Sequence, residues 1–427
     1  MGQKIMKIVV EMLRIVVGAV FAFSGFVKAI DPIGSAYKIQ DYFIAFGLTE
    51  LFPLALPGAV FMVSAELVLG ILLLLGIFRK ITIVFIALFM VFFTPLTLWV
   101  AMNNPVADCG CFGDAFVITN WQSFSKNVVL LLSSVFLLFK FEHITPLFSK
   151  KIAKFVAIFV IVFSTLFSFY NLHREPVLDF RPYRIGVNIP ESMRVNPENL
   201  SVYEAILIYR KDGEYHEFTE SEFAESEFLW NDPAWEFVDT RIRLVQAGER
   251  PAIEHFVIES LVFDEATDVW LFDEDITNEI LSEPNYSFLM ISHSLDRMRT
   301  RQLRYFEAIN RYAQERGYSF YLLTASPLNI IGEWERRHQT GFRIIHGGDQ
   351  RAVHTIMRTN PGLMLLQEGT IINKWAGSEV RNVSGLTVPL NETNFVVVKD
   401  EKRRNAMRLL LIGLLLLVPL AIFKWID

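Results

Sequence analysis

Six separate runs of about twenty apolar residues dominate this sequence, and each is long enough to cross a bilayer as a helix. A helix rises about 1.5 Å per residue, so roughly twenty apolar residues match the hydrocarbon thickness. The runs are about Ile8–Ile30, Leu54–Phe78, Ile81–Met102, Trp121–Phe139, Ile152–Tyr170 and Met407–Ile426. The stretch from about Asn171 to Lys402 reads instead as an ordinary charged globular sequence. Hydrophobic residues make up 52% of the 427, and mean hydropathy is +0.35. The first run reads as an uncleaved anchor, because it is long for a signal peptide, lacks a small-x-small cleavage site and is interrupted by Arg14. A net charge of −6 argues against nucleic acid as a partner and leaves the lipid bilayer as the first one.

Basic residues in short loops orient the spans. Lys4 and Lys7, then Arg79 and Lys80, then Lys140, Lys150, Lys151 and Lys154 belong on the cytoplasmic side. The loops at 31–53 and 103–120 and the large soluble part then face outward, as expected of a protein of the bacterial inner membrane with a periplasmic domain. Lys402, Arg403, Arg404 and Arg408 disagree, since they precede the last span on the outer side.

The outer loop between spans three and four carries the two cysteines of the chain, Cys109 and Cys111, separated by Gly110. A disulfide across so short a loop gains little chain entropy, and small strained disulfides are labile. Both points favour redox or thiol exchange, with an inert local clip and metal binding as the other readings. No histidine stands nearby and two thiolates half-fill a tetrahedral site, so no metal site is expected.

Arg14 and Glu66 fall inside apolar spans, where a charge is paired or faces a cavity. They read as a structural ion pair or as a proton or ligand site. Lys28, Asp31 and Lys38 cluster at the outer end of span one, in company with Asp108 and Asp114 of the cysteine loop. They read as headgroup contacts or as an entrance near the thiols. Tyr37, Tyr42 and Trp121 suit an interfacial aromatic belt.

The run Asp108-Cys109-Gly110-Cys111-Phe112-Gly113 resembles the signature of the MauE branch of DoxX/DoxD-like membrane proteins. Ser24-Gly25-Phe26-Val27-Lys28, Asp31-Pro32, Tyr37 and Glu66 are similar to the same family. The resemblance implies a four-helix bundle over residues 1–140. It also implies an accessory of methylamine utilisation that assists maturation of a disulfide-rich periplasmic dehydrogenase, with a relation to quinone-linked disulfide-forming proteins. One cysteine pair stands where an internal electron relay needs two.

In the soluble part, Ala205–Arg210 and Glu214–Phe218 flank Lys211-Asp212-Gly213, a hairpin signal. Trp235–Thr240 and Glu254–Ile258 read as further strands of a β-rich segment over 176–282. Beyond it come a buried strand at Ser287–Ser292, an amphipathic helix over Asp296–Arg316, a strand at Phe320–Leu323 and a helix at Ile330–His338. A hairpin at Gly362–Leu366 and Thr370–Trp375 follows Asn360-Pro361. This order, over about 283–395, resembles the thioredoxin fold. In that fold the proline is cis, and the first strand leads to the cysteine motif. Here that position reads Ser292-His293-Ser294-Leu295, with no thiol, and His293 reads as an exposed loop residue or a binding remnant.

The expected architecture is therefore a multi-pass α-helical membrane protein with an α/β thioredoxin-like soluble domain. Its parts are a bundle over 1–140, a linker and fifth span over 141–175, the β-rich segment, the thioredoxin-like domain and a last span over 396–427. The expected function is that of an accessory of envelope thiol-disulfide chemistry, exchanging through Cys109 and Cys111 with an extracytoplasmic protein. The alternatives are a scaffold subunit docking partners through its outer domain, and a lipid- or quinone-binding protein.

Overall fold

The computed structural model describes residues 2–106, 108–194, 202–211, 214–219, 222–223, 234–246, 251–254, 256–396 and 401–427. The apolar runs form helices: α1 (Gly2–Ile30), α3 (Phe52–Leu75), α4 (Arg79–Asn103), α5 (Asn120–Lys140), α6 (Lys150–Leu172) and, at the C-terminus, α12 (Glu401–Ile426). A further helix, α2 (Pro32–Ala45), starts at Asp31, whose carboxylate accepts from the Gly34 N–H. Five of these helices are long and apolar enough to cross a membrane, beginning with that of Thr49–Leu75. This is one fewer than the sequence suggested. The apolar run at Ile8–Ile30 lies in α1, which is not among the five.

Small residues let α1 and α3 approach closely. A Cβ at Gly25 would run into the Leu67 backbone, and one at Gly70 into the Ala22 backbone. Without a hydrophobic drive between helices in lipid, such close packing is what holds spans together. Val17, Phe21, Leu73, Ile83, Ile86 and Leu130 fill one core of the bundle, and Ala29, Val63, Leu67, Val156 and Val160 another.

The residues from Val257 onward add a seven-stranded sheet to the same compact unit. Across the sheet the strands run β10 (Thr370–Ala376), β9 (Gly362–Gln367), β6 (Tyr286–Ser292), β7 (Ser319–Thr324), β8 (Arg343–His346), β4 (Glu259–Asp264) and β5 (Val269–Asp275). The central strands β6 (Tyr286–Ser292), β7 (Ser319–Thr324) and β8 (Arg343–His346) are parallel. They are crossed over by helices α9 (Leu303–Arg316) and α10 (Leu328–His338), and α11 (Gln350–Ile356) follows β8. The hairpin of β9 (Gly362–Gln367) and β10 (Thr370–Ala376) turns at Glu368 and Gly369, both at positive φ, and lies antiparallel to β6. The Asn360–Pro361 bond is cis.

Several expectations shift. The hairpin β4 (Glu259–Asp264) and β5 (Val269–Asp275) joins this sheet, which therefore begins at Glu259 rather than near 283. Residues 256–258 are not a strand, although Glu254–Ile258 read as one; Ile258 instead binds Thr277 and Ile276 in a turn ahead of the short helix α8 (Thr277–Leu281). Strand β8 and helix α11 were not foreseen, because four and seven residues carry too little periodicity. Helix α9 starts at Leu303 instead of Asp296, and Gly317, at φ 69°, caps it.

A second unit, Val187–Phe256, is a separate small fold. A short helix, α7 (Ile189–Met193), precedes a three-stranded sheet of order β2-β1-β3, from β1 (Val202–Lys211), β2 (Glu214–Thr219) and β3 (Glu236–Gln246). The expected hairpin is there, with Lys211 opposite Glu214. Its turn residues Asp212 and Gly213 lie outside the described residues.

Ion pairs fasten the seven-stranded sheet to one end of the bundle. Buried Arg358 donates to both Asp31 oxygens at 2.7–3.2 Å, Arg351 donates to Asp41 Oδ2 at 2.9 Å, and the Tyr37 hydroxyl meets His354 Nδ1 at 2.6 Å. Tyr37 thus belongs to this clasp rather than to a lipid belt. Nearby, fully buried Arg181 is held by Asp179 and Glu175, and Lys374 by Asp179.

Two outcomes follow. Gly25→Val or Gly70→Val forces the α1 and α3 backbones apart and costs about 3 kcal/mol or more, read as a lowered melting midpoint of the full chain. Burial would raise the Asp31 carboxyl, but the Arg358 charge and hydrogen bonds outweigh it and hold the pKa below its ordinary value. The clasp is therefore fully present above about pH 4 and is lost as pH falls through the depressed folded value. Arg358→Gln leaves a buried carboxylate unpaired at a cost of about 3–5 kcal/mol. Limited proteolysis of the sheet at pH 7 and its protection down to pH 5 check both; an unprotected wild type at pH 5 contradicts the pairing.

Candidate functional site

The cysteine loop follows Asn104 and closes over the clasped end of the bundle. Gly110 sits at φ 67°, a conformation glycine adopts without strain, and the turn brings the two thiols together. The Asp108 carboxylate accepts from the Gly110 N–H at 2.8 Å, and Lys38 Nζ pairs with Asp108 at 2.7 Å. The two cysteines are unbonded, with their sulfurs 2.7 Å apart. Cys109 Sγ lies 2.9 Å from Ser123 Oγ, and the Tyr42 hydroxyl donates to the Cys109 carbonyl at 3.3 Å.

Beneath the loop, Lys28 of α1 pairs with Glu66 of α3. The Ser24 hydroxyl lies 2.7 Å from both Glu66 Oε1 and the Cys111 carbonyl, and can donate its proton to either. These residues close one end of a cavity of about 410 Å³. Its remaining wall is mostly aromatic and aliphatic: Phe43, Phe46, Phe89, Phe93, Met90 and Leu130. Lys126 and Asn127 of α5 add the other polar groups.

The two thiols are unequal. The Cys109 hydrogen bond lowers the Cys111 pKa to about 6, opposed by burial and assisted by the Lys126 and Lys28 ammonium groups. Cys109 moves the other way: its hydrogen bond to Cys111, burial and the Cys111 charge all push it up. A thiolate is the reactive form of cysteine, so Cys111 is the thiol poised to be ionised at neutral pH.

The residues singled out in the sequence are thus distributed among several places. Cys109, Cys111, Lys28, Lys38 and Glu66 line the cavity, and Asp108 pairs with Lys38 beside it. Arg14 and Glu66 do not meet: Arg14 pairs with Glu11 at 2.6 Å and donates to the Leu74 carbonyl at the other end of the bundle. Asp31 turns to Arg358, and burial and the nearby Asp31 charge raise Asp114. In the sheet, Ser292 donates to Asn360 Oδ1 at 2.7 Å, and Asn360 donates to the Ser294 carbonyl at 2.6 Å. His293 is not an exposed loop residue. Its ring stacks on His354 at 3.9 Å, and burial with the neighbouring Arg297 and Arg358 charges lowers its pKa to about 4. Among the described residues no group of three or more His, Cys, Asp or Glu side chains is gathered for a metal ion.

Ser123, Lys126 and Asn127 were missed. Their signal was present: spacings of three and four residues place them on one face of an otherwise apolar helix.

Fold and site together define a multi-pass helical membrane protein with a thiol pair at one end of its bundle. Residues 6–140 match the family described as methylamine utilisation protein MauE, so this part of the chain is MauE-like. Residues 203–247, in the small second unit, match a family described as a domain of unknown function (DUF8463). No curated protein and no solved structure matches the chain.

Alkylation of the reduced full-length protein checks the asymmetry. Iodoacetamide labels Cys111 with a pH midpoint near 6, while Cys109 lags throughout the neutral range. Cys109→Ala removes the largest cause of the shift and moves the Cys111 midpoint upward. Equal rates at both sulfurs, or a wild-type midpoint near the ordinary 8.5, contradict the arrangement.

Proposed function

We propose that this protein is a membrane-embedded accessory of thiol-disulfide chemistry in the bacterial envelope, with Cys109 and Cys111 exchanging with a partner protein. The observation that carries the reading is the position of the unequal thiol pair, in the wall of an apolar cavity and at the end of the bundle where the sheet domain is clasped. The loop and that domain face the periplasm in this reading, in keeping with the basic residues at the opposite end. The sheet is read as thioredoxin-like, on the parallel β6-β7 pair, the antiparallel β9-β10 hairpin and the Ser292–Leu295 loop after its central strand. Without a thiol there, it serves to hold the client. The match of residues 6–140 to the methylamine utilisation protein MauE family supports a role in methylamine utilisation.

The exchange balances as follows. A client thiolate attacks Cys109 of the Cys109–Cys111 disulfide and displaces Cys111, the better leaving group because its pKa is lower. A second client thiol then displaces Cys109. The client keeps a disulfide, and the pair has gained two electrons and two protons. A quinone bound in the apolar cavity would supply the two-electron, two-proton oxidation that restores the disulfide, and Lys28, Glu66 and Ser24 would hold its oxygen.

Cys111→Ser tests the exchange, because a mixed disulfide between Cys109 and a client can then no longer be reversed by the Cys111 thiolate and accumulates. Client adducts through Cys109, seen on non-reducing gels of whole cells and absent from Cys109→Ser/Cys111→Ser, are expected. If no adduct forms and both cysteines are dispensable, the scaffold reading takes its place. Quinone recovered by mass spectrometry of lipid extracts from the purified protein tests the acceptor separately.

A further inference from the structure

The basic cluster ahead of the last span has no place in the orientation of the helices, and the structure gives it another role. The lower half of α12 is fixed to the bundle. Leu416, Leu420 and Phe423 pack against the α6 side of the core, with the Phe159 and Phe423 rings 6.0 Å apart. Lys424 donates to the Leu147 carbonyl at 2.9 Å, and Asp427 accepts from the Ser149 N–H. Above this anchor α12 stands away from α6, leaving a groove of about 800 Å³. Phe163, Leu166 and Tyr170 line it from one helix, and Leu411, Leu415 and Pro419 from the other.

The mouth of the groove is cationic. Arg404 and Arg408 stand one helical turn apart on the groove face, opposite Arg174 at the end of α6. Arg404 Nε is buried and has no hydrogen-bond partner. Arg408 donates to the Val177 carbonyl at 2.8 Å. The three carboxylates at this rim are already engaged: Asp179 with Arg181 and Lys374, Glu175 with Arg181, and Glu379 with the Ala376 N–H. The site thus offers donors to an anion at the depth where helices leave the bilayer, above an apolar slot open to lipid.

We propose that this groove seats an anionic glycerophospholipid, with its phosphate against Arg404 and Arg408 and its acyl chains between α6 and α12. Basic pockets between spans recognise lipid headgroups in this way, and a phosphate free in solution has no use for the apolar slot. The site is separate from the thiol cavity and holds whether or not the cysteines exchange.

The experiment uses the full chain in nanodiscs of phosphatidylcholine with or without phosphatidylglycerol. Phosphatidylglycerol is expected to raise the melting midpoint and to remain bound in native mass spectra. Arg404→Gln/Arg408→Gln weakens its retention roughly thirtyfold, each cation contributing about fivefold. Leu411→Trp fills the slot with the charges intact and also lowers retention, whereas Arg404→Lys keeps most of it. Equal melting in the two lipids, or unchanged retention in both the charge and the slot variants, overturns the proposal. Stabilisation by inorganic phosphate in pure phosphatidylcholine, to the same extent as by phosphatidylglycerol, overturns it in favour of a free anion.

Discussion

The pairing of Lys28 with Glu66 is the interaction on which the bundle and its site depend. Two opposite charges stand on facing helices in an otherwise apolar interior, and neither is tolerable there alone. The close approach of α1 and α3 at Gly25 and Gly70 is what lets the two side chains meet. Once paired, they leave no net charge, yet keep an ammonium and a carboxylate beside a cavity whose other walls are mostly hydrocarbon. Ser24, one turn before Lys28, joins the carboxylate to the backbone of Cys111. The position of the thiols is thereby referred to the packing of the two central helices, rather than to the loop alone.

The same logic repeats where the sheet meets the bundle. Arg358 and Arg181 are buried and the Lys374 side chain is 4% exposed; Arg358 pairs with Asp31, and Arg181 and Lys374 share Glu175 and Asp179. Replacing one member of such a set leaves the others desolvated and unpaired, which costs more than the pair itself contributes. The network therefore works as a geometric lock. It holds the sheet at the end of the bundle that also carries Cys109 and Cys111.

Much of this was legible in the sequence because bilayer thickness and helical rise leave so little freedom to a run of twenty apolar residues. The helices were readable in that way, and the β1-β2 hairpin and the alternation of strand and helix after Tyr286 were readable from turn signals and periodicity. Most of what was not readable shares one cause: partners far apart in the chain. Arg14 donates to the Leu74 carbonyl, sixty residues on, although its ion-pair partner Glu11, three residues before it, was there to be read. Nothing near Tyr37 announces His354. Strand β8 is four residues long, too short for its alternation to register, and it becomes a strand because β7 and β4 flank it. Lys126 and Asn127 were visible as a polar stripe on α5, but their meaning came only with the cavity they face.

One pair of thiols imposes a constraint of its own. In the proposed exchange the sulfurs that meet the client must also meet the electron acceptor, since no second pair carries the electrons onward. The client comes from water and the quinone from lipid. A single dithiol can serve both only at the boundary between them, reached by protein from one side and by an apolar molecule from the other. In that proposal the Cys-Gly-Cys turn is assigned to such a boundary, on the grounds that the clasped sheet stands at its end of the bundle and that both cysteines line the largely aromatic cavity. The unequal pKa values fit the same economy. A thiol ionised near pH 6 leaves readily when the client attacks, and as a thiolate it is the nucleophile that reacts first with an acceptor in the cavity. The shortness of the motif, which makes a disulfide there a poor staple, is what keeps both sulfurs within reach of both partners.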